Sequence, residues 1–158
     1  SFIKNFDHYI KIIKPHGILL TGGCDIGKFK QRDLFEIKLI KYGIRKKIPI
    51  VGICRGMQII NTLFKGKLKK IDNHVSKRHK VIELQTKKKR YVKCFHNFSI
   101  IKNKLSKEFT IKHISEKDSE IESIFNKKRK IFGLMWHPER ELQFKKEDKN
   151  LIKFYLSL

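Results

Sequence analysis

The sequence has 158 residues, 40% of them hydrophobic and 34% charged, with a formal net charge of +23. That length and balance suit one domain, residues 1–158, around one core. No apolar run approaches the ~20 residues of a membrane span, so no membrane partner is expected. Three widely spaced cysteines, Cys24, Cys54 and Cys94, without a C-x-x-C, argue against a disulfide framework or a zinc ribbon. They point to a reducing, cytoplasmic compartment.

Charge alone would suggest nucleic acid. Yet lysine far outnumbers arginine, alanine is absent and isoleucine is abundant, as AT-biased coding produces. No aromatics interleave the basic runs and no RNA- or DNA-binding signature is present. The expectation is no nucleic-acid partner and a small anionic substrate.

Phe2 to Lys14 carries apolar residues at Phe2, Phe6, Ile10 and Ile13, a helical spacing that ends at Pro15-His16-Gly17. Gly17 to Thr21 reads as a short buried strand, followed by Gly22-Gly23. Leu34, Ile37, Ile40 and Ile44 mark a helix from about Gln31 to Lys47. Ile48 to Val51 reads as a strand, and Met57, Ile59, Ile60, Leu63 and Phe64 as the helix after it. Leu68 to Lys80 is the least regular stretch. Val81–Leu84 and Tyr91–Phe95 predict a hairpin, and Thr110–Ser115 with Ile121–Phe125 a second. Ile131 to Met135 is an apolar strand, and Glu147 to Leu158 a closing helix carrying Leu151, Ile152, Phe154 and Tyr155.

Two stretches carry chemistry. Gly52-Ile53-Cys54-Arg55-Gly56, between strand and helix, has the form of a nucleophile elbow with sulfur in place of a serine hydroxyl. The turn lifts Cys54 to a helix N-terminus, where dipole and free N–H groups favour a thiolate. A plain core cysteine between chance glycines is the competing reading. The second stretch, Met135-Trp136-His137-Pro138-Glu139, ends a strand with a histidine and, two residues on, a carboxylate. A thiol nucleophile needs such a base and a group to orient it. His74, His79, His96 and His113 default to surface or packed histidines. They lack metal-ligand spacing, so no metal is expected. Trp136 is expected to be a packing residue that shields the dyad from water.

G-I-C-R-G together with M-W-H-P-E resembles the class I glutamine amidotransferase superfamily, and within it the free-standing gamma-glutamyl hydrolases. Gly17-Ile-Leu-Leu-Thr-Gly-Gly-Cys-Asp25 is similar to that family's oxyanion-loop strand. The resemblance implies a three-layer, flavodoxin-like α/β fold, with a mostly parallel sheet flanked by helices and antiparallel hairpins. It also implies a strand ahead of the first helix. This sequence lacks that strand, so a fragment or trimmed chain is expected.

The site implied by the resemblance has Cys54 as nucleophile, His137 as base and Glu139 as its orienter. Backbone N–H groups of Gly23 and Arg55 form the oxyanion hole. Gln58, His96, Asn97 and Arg78 contact substrate, and Asp25 fixes the oxyanion loop or contacts the substrate's amino group, the first being preferred. No metal or organic cofactor is implied, and a homodimer is left open. The reaction is hydrolysis of a gamma-glutamyl amide. His74-Val-Ser-Lys-Arg-His79, Cys94-Phe-His-Asn97 and Met135 to Glu141 look closer to hydrolases of gamma-glutamyl-CDP-amidate, which act in phosphoramidate capsule modification, than to those of gamma-glutamyl-GABA. Lys77, Arg78 and Arg140 are available for a diphosphate or are plain surface charges in a lysine-rich chain, and Arg55 could serve either reading. The competing functions are a glutaminase subunit feeding ammonia to a synthetase, and a basic binding protein that retains only the fold.

Overall fold

The computed structural model describes residues 5–157. Helix α1 (Phe6–Ile13) buries Phe6 and Ile10 and stops at a left-handed Lys14. Phe2, the first position of the expected apolar stripe, lies outside the described residues. Strand β1 (Ile18–Leu20), helix α2 (Lys30–Lys46), strand β2 (Ile50–Ile53) and helix α3 (Arg55–Leu63) then follow in the expected order.

The stretch expected to be irregular is largely strand. It contains β3 (Leu68–Lys70) and the first half of β4 (Val75–Glu83). β4 pairs antiparallel with β5 (Lys89–Phe95), with a register shift between Val75 and Lys77. The first hairpin is therefore longer, and its turn shorter, than the hydrophobic pattern implies, because basic residues occupy the exposed strand positions. β6 (Phe98–Ile100) is too short to register as a run and pairs with β3 in a small separate sheet. β7 (Thr110–Ser115), β8 (Ile121–Asn126), β9 (Ile131–Leu134) and helix α4 (Lys146–Leu156) complete the chain, close to their expected bounds.

Seven strands form one sheet in the order β1-β2-β9-β8-β7-β4-β5. β1, β2 and β9 are parallel. The hairpin strands continue the same sheet by antiparallel pairing. Helices flank the parallel part on both faces, which is the α/β architecture the resemblance implies. Gly52 and Gly133 pair in register and face α3. Met57 packs where a Gly133 side chain would stand. Phe132, one residue along, points the other way and stacks on Tyr155 of α4 with ring centroids 4.0 Å apart. Met57, Ile59 and Ile60 are buried under this arrangement. Each such side chain contributes roughly 1.5–3 kcal/mol by leaving water.

Besides α1, where Ile13 is exposed, two apolar stripes differ from expectation. In α2, Leu34 is exposed, while Asp33 and Glu36 face inward with Ile40. In α4, Phe154 is exposed and Tyr155 is the buried aromatic. The difference in α2 is electrostatic in origin. Arg55, at the start of α3, is fully covered by α2 and ion-pairs with both carboxylates.

Candidate active site

The parallel strands present their C-terminal ends along one edge, where open α/β sheets place ligands. Thr21–Gly23 follow β1, Cys54 follows β2 and His137 follows β9. The local sequence accounts for the geometry of each.

Cys54 has φ 51° and ψ −105°, a strained pairing for a residue with a Cβ. It is held there by backbone hydrogen bonds. Its N–H donates to the Leu134 carbonyl at 2.7 Å, and its carbonyl accepts from the Gln58 N–H at 3.1 Å. The flanking glycines are steric requirements. A Cβ on Gly52 would stand 2.5 Å from the Gly56 carbonyl carbon, and one on Gly56 would collide with the Leu20 carbonyl oxygen.

Burial decides the state of the thiol. It pushes the Cys54 pKa up to about 12, against the lowering effect of the Arg55 N–H. Glu139 raises it further and Arg140 lowers it. The resting group is therefore a thiol. The expected thiolate does not form unaided, because desolvation outweighs the helix terminus.

His137 is 2% exposed. Its Nδ1 lies 2.6 Å from Glu139 Oε1, and its backbone N–H donates to the Lys93 carbonyl at 2.9 Å. With Nδ1–H donated to the carboxylate, Nε2 carries the lone pair. That Nε2 is buried without a hydrogen-bond partner. The ring stands edge-on to Phe95, with centroids 5.9 Å apart, and Cys54 Sγ lies 3.9 Å from the Phe95 carbonyl oxygen. Phe95 thus touches both groups. Gly22 closes the other side: a Cβ there would sit 2.6 Å from His137 Cε1. Burial alone would raise the Glu139 pKa, but the hydrogen bond from His137 holds it below its ordinary value.

A cleft of about 320 Å³ opens over Cys54, with Gly23, Gln58, His96 and Asn97 on its walls beside Asp25 and Lys28. Larger depressions lie between β4, β5 and α4 and beside α1, away from the cysteine. Gln58 Nε2 donates to the Phe98 carbonyl at 3.1 Å. His96 Nδ1 contacts the same carbonyl at 3.0 Å, and burial lowers the His96 pKa to about 4.

The loop after β1 is fixed from α2. Arg32 Nη2 donates to the Gly22 carbonyl at 2.9 Å and the Thr21 carbonyl at 3.1 Å. Gly27 N–H donates to Asp33 Oδ2 at 2.7 Å. Asp25, expected to fix this loop, is instead exposed on the pocket wall.

Three further expectations change. Arg55 contributes only its backbone here, because its guanidinium is buried against Asp33 and Glu36. Arg78 is not brought to the cleft. It lies in a neighbouring groove with Lys77 and pairs with Glu141 at 3.2 Å, since its position on β4 turns it away from Cys54. Trp136 ties β9 to α4 rather than covering the dyad: its Nε1–H donates to Asp148 Oδ1 at 2.9 Å. Cations that do approach include Lys28, on the cleft wall, and Arg140 and Lys93, which lie 4.3 Å and 5.4 Å from the Phe95 ring centroid. Lys28 carries no motif, and only its neighbour Asp25 could have drawn attention to it.

The chain belongs to the class I glutamine amidotransferase family, whose pattern it matches over residues 3–156. It is 37% identical to the gamma-glutamyl-CDP-amidate hydrolase of Campylobacter jejuni, over 97% of this chain and 78% of that protein. It is 33% identical to the carbamoyl phosphate synthase small chain of Aquifex aeolicus, over 86% of this chain but 36% of that one. Among solved structures, a glutamine amidotransferase from Thermotoga maritima superposes with a TM-score of 0.64 at 22% identity, covering 88% of this chain and 64% of that one. A glutamine amido transferase from Methylobacillus flagellatus gives 0.70 at 12% identity, covering 89% and 58%. Among the described residues, no helix is long and apolar enough to cross a membrane.

Proposed function

We propose that this chain is a cysteine hydrolase that cleaves a gamma-glutamyl amide, with Cys54, His137 and Glu139 as its triad. The observation that carries the reading is a strained, buried Cys54 and a His137 that both contact Phe95, with His137 Nδ1 held by Glu139 and its buried Nε2 without a partner. A resting thiol requires its base in the attacking step. His137 Nε2 takes the Sγ proton as Cys54 attacks the gamma-carbonyl. The N–H groups of Gly23 and Arg55 receive the oxyanion, a kind of donor worth about 3 kcal/mol. The imidazolium returns its proton to the leaving nitrogen and a gamma-glutamyl thioester remains. His137 then activates water, the thioester breaks and glutamate leaves. Gln58, His96 and Asn97 hold the glutamyl portion.

The substrate proposed is gamma-glutamyl-CDP-amidate, in the chemistry of phosphoramidate sugar modification. Similarity to the Campylobacter jejuni hydrolase across most of both chains supports it. Lys28 and Arg140 supply positive charge near the cleft for a diphosphate. The chain would act as one domain in the cytoplasm, where its three cysteines stay reduced. A glutaminase subunit is the second reading, favoured by the similarity to the carbamoyl phosphate synthase small chain. The deciding experiment is glutamate release by the purified chain from gamma-glutamyl-CDP-amidate, gamma-glutamyl-GABA and glutamine. Fast release from the nucleotide amide supports the proposal. Release from glutamine alone, and only when a synthetase is added, supports the glutaminase.

A further inference from the structure

Behind the cleft wall lies a second cluster of chemistry-bearing side chains that, His96 apart, the hydrolytic reaction does not use. Glu122, on β8, is fully buried. Its ion-pair partners are three histidines: His79 Nε2 at 2.9 Å, His74 Nδ1 at 3.7 Å and His96 Nε2 at 3.9 Å from Oε1. Cys94 Sγ, on β5, stands 3.6 Å from His79 Nε2 and 3.8 Å from Glu122 Oε2. The sequence separates these groups across β4, β5, β8, the loop before β4 and the turn after β5, so no spacing announces them.

The hydrogen bonds around the cluster fix where the lone pairs point. His74 Nε2 lies 2.8 Å from Asp118 Oδ2, and His96 Nδ1 lies 3.0 Å from the Phe98 carbonyl oxygen. A carbonyl and an ionised carboxylate only accept, so each outer nitrogen carries the proton. The inner nitrogens, His74 Nδ1 and His96 Nε2, then face each other 3.2 Å apart. Two neutral imidazoles in these tautomers would aim lone pairs at one another, beside a buried carboxylate. Such an arrangement calls for a positive charge among them.

The geometry points to a zinc-binding site formed by His74 Nδ1, His79 Nε2, His96 Nε2 and Glu122, with the Cys94 thiol at its wall. Zinc bound to nitrogen and oxygen at 2.0–2.1 Å sets its tetrahedral ligands about 3.4 Å apart. Four of the six donor pairs, at 2.9 to 3.9 Å, bracket that spacing, and the donors of His74, His79 and Glu122 lie within 4.8 Å of one another. Imidazole with one carboxylate is a donor set suited to zinc rather than to magnesium or calcium. Asp118 and the Phe98 carbonyl already stand as the outer partners that ligating histidines use to fix their tautomers. Binding would tie β4, β5, β8 and the loop before β4 together and immobilise His96, which is also a wall of the cleft over Cys54.

The test is zinc titration of the chelator-stripped chain, against a chromophoric competitor, with cobalt(II) as a spectroscopic probe. The expected result is one zinc per chain and an intense four-coordinate cobalt spectrum, both retained in Cys54→Ala. Glu122→Gln and His79→Asn should each weaken binding at least ~10-fold, with circular dichroism reporting that each variant is folded. If neither folds, Asp118→Asn, which touches only the outer partner of His74, must still weaken zinc. Binding lost in Cys54→Ala but kept in Glu122→Gln would place the metal at the nucleophile and overturn the site. So would a chain that takes up no zinc, with NMR showing an imidazolium proton between His74 and His96.

Discussion

Arg55, the residue directly after the nucleophile, sends its guanidinium under α2 to Glu36 rather than into the cleft. With Asp33 on its other nitrogen, it fastens α3 to α2 at the point where Cys54 is displayed. Among the described residues, removing Arg55 leaves Asp33 with only the Gly27 N–H and Glu36 with only the partly exposed Arg32. Arg55→Met should therefore destabilise the chain by about 3–5 kcal/mol. Glu36→Gln, which leaves Asp33 to pair the arginine, should cost less. Denaturant midpoints measure both, and an unchanged midpoint in Arg55→Met would remove the pair from the account.

The close approach of Gly22 to His137 separates folding from catalysis. A methyl group there stands 2.6 Å from Cε1 and must push the imidazole aside. Gly22→Ala should lower kcat at least ~100-fold, the order of loss expected when a positioned acid–base group is displaced. The melting temperature should change little, since Gly22 lies in a loop outside the sheet. The two readouts on one variant check this directly.

Cys54 should make the chain sensitive to alkali. Its folded pKa, about 12, lies above the ordinary thiol value of 9.0. Between these values the unfolded chain loses the proton and the folded chain keeps it, so stability falls as pH rises from 9 toward 12. Cys54→Ala should flatten the difference curve over that window and leave it unchanged below pH 9. Iodoacetamide labelling of Cys54 should likewise rise steadily through pH 7–10 without a plateau.

How much of this was legible depends on whether a feature is local. The elbow and Met135–Glu139 each concentrate their chemistry within five residues, so strand, turn, nucleophile and base could be read directly. Leu34 and Arg78 could not. Apolar periodicity places Leu34 inward because it cannot know that Arg55, twenty-one positions on, needs Asp33 and Glu36 there. Arg78 shares a motif-like string with His74 and His79, but strand alternation and the register shift after Val75 send it toward Glu141. The histidine cluster is the extreme case. Its members meet only when the two hairpins join one sheet.

The cations near the cleft give a graded expectation for substrate. Lys28→Ala and Arg140→Ala should each lower kcat/KM for a nucleotide-bearing gamma-glutamyl amide, by roughly 10-fold for a lost charge-assisted contact, with a weaker salt dependence. Neither should matter as much for gamma-glutamyl-GABA. Arg78→Ala should be close to silent on both substrates. Kinetics at two salt concentrations distinguish these cases, and a dominant effect of Arg78 would move the leaving group to the groove beside β4.

The central claim is a gamma-glutamyl thioester on Cys54, formed with His137 as base. Acid quench of the chain during turnover of a gamma-glutamyl amide, followed by peptide mass spectrometry, tests it most directly. The account predicts a glutamyl adduct on the peptide containing Cys54. It should form orders of magnitude more slowly in His137→Asn, and Glu139→Gln should slow it less. An adduct on Cys24 or Cys94, or formation at the wild-type rate without His137, would contradict the account.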